Sequence, residues 1–413
     1  MWSAKDHPMI PSGYGIIGKH LTPRLARHYG ADNIKIYAPV NQHAFVGEYE
    51  GMEVYPGNAK DFGENLIERH YQRARAMFVL QVGDWLPLSV LPTIAREDRV
   101  LWIQWAPYDF WNLMDSTVNK ILGACWRVIP WCEYGEKKFK EHGLANVTAP
   151  IPLGVDTEIW HPIDRGELGG TMASMGFTSK TFNILILGAN QNRKFLREQF
   201  EAVALFRKGY PEADARLYYH GPLEGERDIS LDFAQLDLID YFRRPDPYEM
   251  IMGGINEAVL ARTYNCADVV LNCAYEGFGL SLIQAQAVGT PAIGLAEGPG
   301  PELIVHGALV PVDFVDNTTN GQAALQKPVA GPQAIASALE QVYKTADYRT
   351  PNARAVEHVR RKYSWDVIAD QWIALIDQLV EERERLSLTL PEPSEALNAR
   401  AEQHRWVRQL VRP

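Results

Sequence analysis

The residues whose types and spacing best suit chemistry lie in one short segment, 275–291. Glu276 precedes Gly277 and Gly279, which leave room for a ligand to approach the backbone. Gln284 follows within a predicted short helix, whose free N–H groups and positive dipole end attract anions. The segment therefore predicts an anion-binding turn beside two polar side chains. An ordinary connection with a solvated glutamate is the alternative.

A second polar group follows another strand-like apolar run, 182–188. Asn190, Arg193 and Lys194 come next, before a helix predicted over 195–208. Adjacent arginine and lysine suit a diphosphate, because the guanidinium binds two oxygens at once and the ammonium adds a point charge. The alternative is a pair of solvated loop residues.

Four more residues could face the same ligand. Gly13 and Gly15 open the first predicted helix and could bring backbone N–H groups to a phosphate, unless they form a plain turn. Asp109 follows a predicted strand end, where an acid faces a cleft or caps a turn. His220 also ends a predicted strand, and a structural histidine is its alternative.

Tryptophans are concentrated between residues 102 and 131. Their faces suit sugar rings or bases, and they also fill hydrophobic cores, so core packing is the alternative for each one. These residues are Trp102, Trp105, Trp111, Trp126 and Trp131.

Strand-like and helix-like segments alternate through two halves of the chain, which predicts two parallel sheets built from βαβ units. Ligands bind beyond the carboxyl ends of such strands, so two facing domains would form a cleft. The Pro-rich segment 150–156 is the predicted connector, and helices are predicted over 365–386 and 396–411. The last helix carries a basic face, either solvated or a docking surface, formed by Arg400, Arg405, Arg408 and Arg412.

Composition narrows the class of protein. A chain of 413 residues suggests about two domains, and a net charge of −10 argues against a large nucleic-acid footprint. No apolar run is long enough for a bilayer, and no signal-peptide core is present. The four cysteines lack Cys-x-x-Cys spacing, which favours buried thiols in a reducing compartment. We therefore expect a cytoplasmic protein.

In their order along the chain, these segments resemble a retaining glycosyltransferase of the GT-B fold, most similar to glycosyltransferase family 4. The matching motifs are the glycine loop at 13–15, the connector at 151–157, the Arg/Lys clamp at 190–194 and the donor signature at 276–280. The resemblance implies two Rossmann-like, doubly wound α/β domains facing a central cleft. Residues 1–155 would form the acceptor-side domain and 156–363 the nucleotide-sugar domain, with helices of 364–413 packing back on the first.

The implied chemistry is transfer of a sugar from a nucleotide-diphosphate sugar to a hydroxyl of a glycan, glycolipid or small glycoside, with retention at the anomeric carbon. A UDP- or GDP-sugar is the expected donor, and no cofactor or metal is expected. Arg193, Lys194 and the helix after Gly279 would stabilise the departing diphosphate. Glu276 would hold sugar hydroxyls, and Asp109 would lie at the reacting sugar.

The resemblance also implies a set of substrate contacts. Where the family has a second glutamate at the ribose, this chain has Gln284, which lacks the charge-assisted hydrogen bond of a carboxylate. The acceptor is expected near Trp105, Tyr108 and Trp111. The expected donor-binding residues are Gly13, Gly15, Asn190, His220, Gly277, Phe278, Gly279, Leu280 and Gln284.

Other functions remain open at this stage. A glycosyltransferase acting on a modified DNA base is one alternative, with nucleic acid only as acceptor. A non-catalytic nucleotide-sugar-binding module, suggested by Gln284, and a sugar-nucleotide epimerase are the others. The sequence leaves the oligomeric state undetermined.

Overall fold

Two sheets of mainly parallel strands form the framework of the protein. The computed structural model describes residues 1–39, 46–57, 63–252, 255–320, 323–345 and 347–385. Long apolar runs produce these sheets, because parallel strands are covered on both faces and need no polar side. In the strand at 102–106, for example, Trp102 and Ile103 pack into separate hydrophobic clusters.

The N-terminal sheet has seven strands in the order β3-β4-β2-β1-β5-β6-β7. All neighbours are parallel except β3, which runs antiparallel to β4. The strands are β1 Trp2–Ala4, β2 Lys35–Ala38, β3 Gly47–Tyr49, β4 Met52–Pro56, β5 Val79–Val82, β6 Trp102–Ala106 and β7 Arg127–Pro130. The helices are α1 Gly13–Tyr29, α2 Glu64–Ala74, α3 Val90–Arg96, α4 Asp115–Leu122 and α5 Glu133–Glu141.

The C-terminal sheet has six parallel strands in the order β10-β9-β8-β11-β12-β13. They are β8 Asn183–Leu187, β9 Arg216–His220, β10 Phe242–Arg243, β11 Val269–Asn272, β12 Ala292–Leu295 and β13 Gly307–Val310. The helices are α6 Gly169–Ser174, α7 Leu196–Gly209, α8 Ile229–Gln235, α9 Pro247–Ile251, α10 Glu257–Cys266, α11 Leu280–Ala287, α12 Gly300–Leu303 and α13 Pro332–Tyr343.

An antiparallel hairpin, β14 Phe314–Asn320 and β15 Ala323–Val329, follows β13 and precedes α13. This hairpin was not predicted from the sequence. Helices α14 Ala353–Lys362 and α15 Trp365–Arg385 complete the described chain. The helix predicted over 396–411, with its four arginines, lies outside the described residues.

Helix α15 packs against the N-terminal half. Arg24 on α1 donates to the Asp366 carboxylate at 2.6 Å, and the Tyr29 hydroxyl donates to Asp377 at 2.7 Å. On β7, Arg127 contacts both carboxylate oxygens of Glu382 at 2.6 Å. The polypeptide therefore crosses from the C-terminal half back to the first one.

The two crossings between the halves run side by side. The Val155 N–H donates to the Tyr363 carbonyl at 2.7 Å, and the Trp365 N–H donates to the Val155 carbonyl at 3.2 Å. Only glycine fits at position 154, because a Cβ there would overlap the Trp365 ring. The outgoing and returning segments are therefore hydrogen bonded to each other.

A buried histidine joins the two halves beside these crossings. The His20 Nε2 lies 2.8 Å from the Glu257 carboxylate of α10, and Nδ1 lies 3.3 Å from Asp156 in the connector. Its ring stacks on Trp365, with centroids 5.7 Å apart. Burial alone would lower the pKa of His20, but the hydrogen bonds to the two carboxylates outweigh burial and raise it. The protonated histidine therefore stabilises this contact.

The His20 contact should make stability depend on pH in a defined window. Its contribution is complete below pH 6.5, the ordinary histidine value, and is lost as pH rises through the raised pKa. The Glu257 contribution is complete above pH 4.5 and is lost as pH falls through its lowered pKa. We expect His20→Gln to reduce the free energy of unfolding most between pH 4.5 and 6.5, by about 1–3 kcal/mol.

Urea denaturation of both proteins across pH 4–9 measures that loss. His28→Gln, at an exposed position of the same helix, is the matched control and should change little. A loss that is constant with pH would contradict an ionised His20 contact.

Candidate active site

A partly buried ion pair lies at the centre of the candidate site. The Lys194 ammonium contacts the Glu276 carboxylate directly, and an Arg193 guanidinium nitrogen lies 3.7 Å from the same carboxylate. Lys194 follows β8 and Glu276 follows β11, and these strands are neighbours in the sheet. Since parallel strands end at the same edge, the two predicted polar groups meet there.

The two cations determine the ionisation of the glutamate. Burial pushes the pKa of Glu276 up, but Lys194 and Arg193 outweigh burial and hold it below its ordinary value. The carboxylate is therefore ionised at neutral pH, and its side chain keeps 19% of its surface exposed. A ligand can thus reach a carboxylate and two cations at one place.

A glutamine that the sequence analysis missed fixes the lysine loop to the sheet. The Gln199 side chain donates to the Lys194 carbonyl at 2.9 Å and accepts from the Cys273 N–H at 3.2 Å. It is only 2% exposed and belongs to α7. No motif marks it, since only the folded structure brings these two backbone groups together.

The turn after Glu276 is shaped by glycines. Gly279 has φ +101°, a left-handed conformation that favours glycine, and it immediately precedes α11. Gly277 lies against the N-terminal half, where a Cβ would overlap Pro107. The start of α11, at Leu280, is therefore held open on the cleft side by residues that have no side chain. Phe278 between them is buried, at 2% exposure.

Asp109 comes from the opposite half and lies half-buried in the same charged group. Burial raises the pKa of its carboxyl, Lys327 and Arg193 oppose that rise, and Asp84 and Glu276 add to it. Asp109 therefore lies among the charges around Glu276, and its catalytic role stays a prediction.

Lys327 is a second residue that the sequence analysis missed. It is on β15 of the hairpin, is 5% exposed, and donates to the Asp109 carbonyl at 2.8 Å. Burial lowers the pKa of its ammonium, and the neighbouring Arg193 and Lys194 lower it further, against Asp109 and Glu276. No motif marks this lysine, and the strand that carries it was not predicted from the sequence.

Gln284 is buried in α11, at 7% exposure. Its side-chain carbonyl accepts from the Tyr264 hydroxyl at 3.1 Å. Among the described residues its amide nitrogen has no hydrogen-bond partner. The side chain is therefore fixed by the protein on one side and can donate to a ligand on the other.

Two residues predicted on the acceptor side do not face the cleft. Trp105 is fully buried, and its indole N–H donates to the Ile151 carbonyl at 2.7 Å. Tyr108 is 1% exposed, and its hydroxyl lies 2.9 Å from His142 Nε2. Both belong to the core, which was the alternative for the tryptophans. Trp111 is partly exposed, with its backbone N–H 3.0 Å from the Gln326 carbonyl.

Asn190, predicted to bind the donor, instead fixes a loop of its own half. Its side-chain amide donates to the Leu223 and Arg227 carbonyls at 2.9 and 2.8 Å and accepts from the Arg227 N–H at 3.2 Å. Gly15 is required by packing, since a Cβ would overlap the Ile10 carbonyl. Asn190 and Gly15 therefore have structural roles, and a donor contact stays a prediction for both.

Gly13 and His220 each lie at the end of an element, and contact with the donor stays a prediction for both. Gly13 is exposed at the first residue of α1. His220 ends β9 half-buried, burial lowers its pKa to about 4, and its Nδ1 has no described hydrogen-bond partner.

All four cysteines are free and buried, as predicted. Within the described ranges, there is no cluster of three or more His, Cys, Asp or Glu able to hold a metal, and no helix suited to crossing a membrane.

Comparison with known proteins identifies one matching family and several relatives. Residues 181–345 match the family of glycosyl transferases group 1. The D-inositol 3-phosphate glycosyltransferase of Pseudarthrobacter chlorophenolicus is 30% identical over 159 residues, 38% of this chain and 36% of the relative. That of Corynebacterium urealyticum is 26% identical over 239 residues, 56% and 51% of the two chains. These matches span about a third to a half of the relatives' length.

Solved structures share the whole architecture. The Anabaena protein HepE in complex with UDP aligns over 91% of this chain and 99% of its own, with a TM-score of 0.63 and 14% identity. A glycosyltransferase from Rickettsia africae gives 0.66 at 13% identity, over 92% and 98%. An α,α-trehalose 6-phosphate synthase from Burkholderia multivorans gives 0.63 at 11%, over 92% and 98%.

The predicted fold is confirmed: the protein has the GT-B architecture of two Rossmann-like α/β domains. Residues 181–345 match the glycosyl transferases group 1 family, so the predicted resemblance is confirmed as well. The matched segment contains the ion-pair residues Arg193, Lys194 and Glu276.

The bridge made by Gln199 should be important for stability. Gln199→Leu leaves two buried backbone groups without partners, and we expect it to lower the free energy of unfolding by about 2 kcal/mol. Gln333→Leu, at an exposed position of α13, is the control. Urea denaturation measures both, and equal unfolding curves would contradict the bridge.

Proposed function

We propose that the protein is a retaining glycosyltransferase that moves a sugar from a nucleotide-diphosphate sugar to a hydroxyl acceptor. One observation carries the proposal: the contact of Lys194 and Arg193 with Glu276 at the strand ends, beside the first turn of α11. Two cations and a helix N-terminus suit a diphosphate, and a carboxylate suits sugar hydroxyls. The family match of this half supports the assignment.

In the proposed reaction, the protein stabilises the leaving group. Negative charge develops on the diphosphate as the glycosidic bond breaks, and Arg193, Lys194 and the N–H groups of α11 neutralise it. Binding of the diphosphate to Lys194 frees Glu276 to accept hydrogen bonds from the sugar. Because fixed cations perform this role, we propose a reaction that is independent of metal.

The N-terminal half would provide the acceptor side. Asp109 lies in the same charged group as Glu276 and would contact the reacting sugar or the incoming hydroxyl. The structural neighbour HepE is recorded with UDP and with UDP and glucose, which favours UDP over GDP as the nucleotide. We propose a hydroxyl compound such as a glycan, glycolipid or small glycoside as acceptor, and a location in the cytoplasm.

Nucleotide binding provides the direct test. In a thermal-shift screen of UDP, GDP and ADP, we expect one diphosphate to raise the melting temperature of the wild type, because a ligand that binds the native state stabilises it. Lys194→Ala should weaken binding of this diphosphate at least about tenfold, because a charge-assisted contact is lost. Lys344→Ala, at the exposed residue that follows α13, should bind as the wild type.

Absence of any shift in the wild type would contradict the proposed donor site. Binding without release of nucleoside diphosphate, over a panel of UDP-sugars and hydroxyl acceptors, would instead favour a non-catalytic binding module. Conversion of the donor without acceptor would favour an epimerase.

Gln284 gives a test of the ribose contact. If the amide nitrogen of Gln284 faces the ribose, Gln284→Glu replaces a neutral hydrogen-bond partner by a carboxylate. Binding of the nucleoside diphosphate should then tighten about three- to tenfold. The gain should disappear with the 2′,3′-dideoxy nucleotide, which lacks the diol. Calorimetric titration measures both ligands, and an equal change for both would contradict the contact.

A further inference from the structure

The hairpin β14–β15 joins the two halves at the cleft, and we call it the strap. The Trp111 N–H donates to the Gln326 carbonyl at 3.0 Å, and the Asn112 side chain donates to the Gln326 side chain at 2.5 Å. Lys327 adds the contact with the Asp109 carbonyl. A segment of the C-terminal half is thereby fixed to the loop of the N-terminal half that follows β6.

The strap buries one positive charge in the proposed donor site. The Lys327 ammonium is 2.8 Å from the Asp109 carbonyl and 5.3 Å from the centre of the Phe110 ring. Within the described part of the chain, that carbonyl is its only hydrogen-bond partner, and no carboxylate lies within ion-pairing distance. An ammonium has three N–H donors, so two remain for a ligand.

Burying an ammonium without an ion-pair partner is costly. Asp109 and Glu276 attract Lys327 from beyond contact distance, while Arg193 and Lys194 repel it. Three cations, Arg193, Lys194 and Lys327, therefore lie close together at this point, and Glu276 is already paired with Lys194. An anion with more than one charge would relieve the repulsion among the cations and give the lysine its missing partner.

We propose that Lys327 is a substrate-binding residue that contacts the diphosphate of the bound nucleotide sugar, as a third cation beside Arg193 and Lys194. This inference rests on the proposed function, because it assumes that the site receives a diphosphate. The strap supplies the cation from the C-terminal half and holds it in place through the loop at 109–112 of the other half.

Calorimetric titration with UDP, and with GDP and ADP in parallel, tests the assignment. Lys327→Gln keeps a donor for the Asp109 carbonyl but removes the charge, and we expect about tenfold weaker binding of the diphosphate, or about 1.4 kcal/mol. Lys327→Arg should restore binding to within about threefold, because arginine keeps the charge. Affinity for the matching nucleoside monophosphate should fall less than about twofold in Lys327→Gln, because the second phosphate supplies the contact with the lysine.

Asn112→Ala separates charge from attachment, because it removes a contact between the strap and the N-terminal half but keeps the lysine. We expect it to bind the diphosphate nearly as the wild type does. Loss equal to that of Lys327→Gln would show a purely structural strap and overturn the proposal, as would unchanged binding in Lys327→Gln.

The two levels of inference fail in different ways. If the wild type binds a diphosphate, Lys194→Ala does not and Lys327→Gln does, the proposed function stands and the role of Lys327 is wrong. If Lys327→Gln weakens binding of a nucleotide sugar but not of its free nucleoside diphosphate, the lysine contacts the sugar and the diphosphate assignment is wrong. If the wild type binds no diphosphate, both proposals are wrong.

Discussion

The adjacency of β8 and β11 is the constraint on which the site depends. Their carboxyl ends place Lys194 and Glu276 in contact although 82 positions separate them in the sequence. Each strand is a buried apolar run, so the register that fixes the charges is itself fixed by hydrophobic packing. The chemistry of the cleft thus depends on core residues that contribute no polar group of their own.

Cations and carboxylates from different segments of the chain come together in the cleft. The cations come from the loop after β8 and from the strap, and the carboxylates come from the turn after β11 and the loop after β6. Burial raises the pKa of Asp109 and by itself would raise that of Glu276, but the cations oppose the first rise and outweigh the second. The arrangement suits a ligand that brings negative charge together with hydroxyl groups.

The sequence predicted those parts of the fold and site that repeat a local pattern. Buried strands followed by glycine or basic loops revealed both sheets and the residues Arg193, Lys194 and Glu276. The acceptor-side reading of Trp105 and Tyr108 was wrong, because an aromatic side chain at a strand end can point to either side and sequence does not show which. Gln199 and Lys327 were missed because each one contacts a residue remote in sequence, Cys273 and Asp109 respectively.

The paired crossings at Val155 and Trp365 have a mechanical consequence. Two covalent connections that are hydrogen bonded to each other act as a single pivot, so they favour rotation of one half relative to the other over sliding. Rotation displaces atoms in proportion to their distance from the pivot. Small adjustments of backbone angles near Gly154 could therefore change the width of the cleft while both sheets move as rigid bodies.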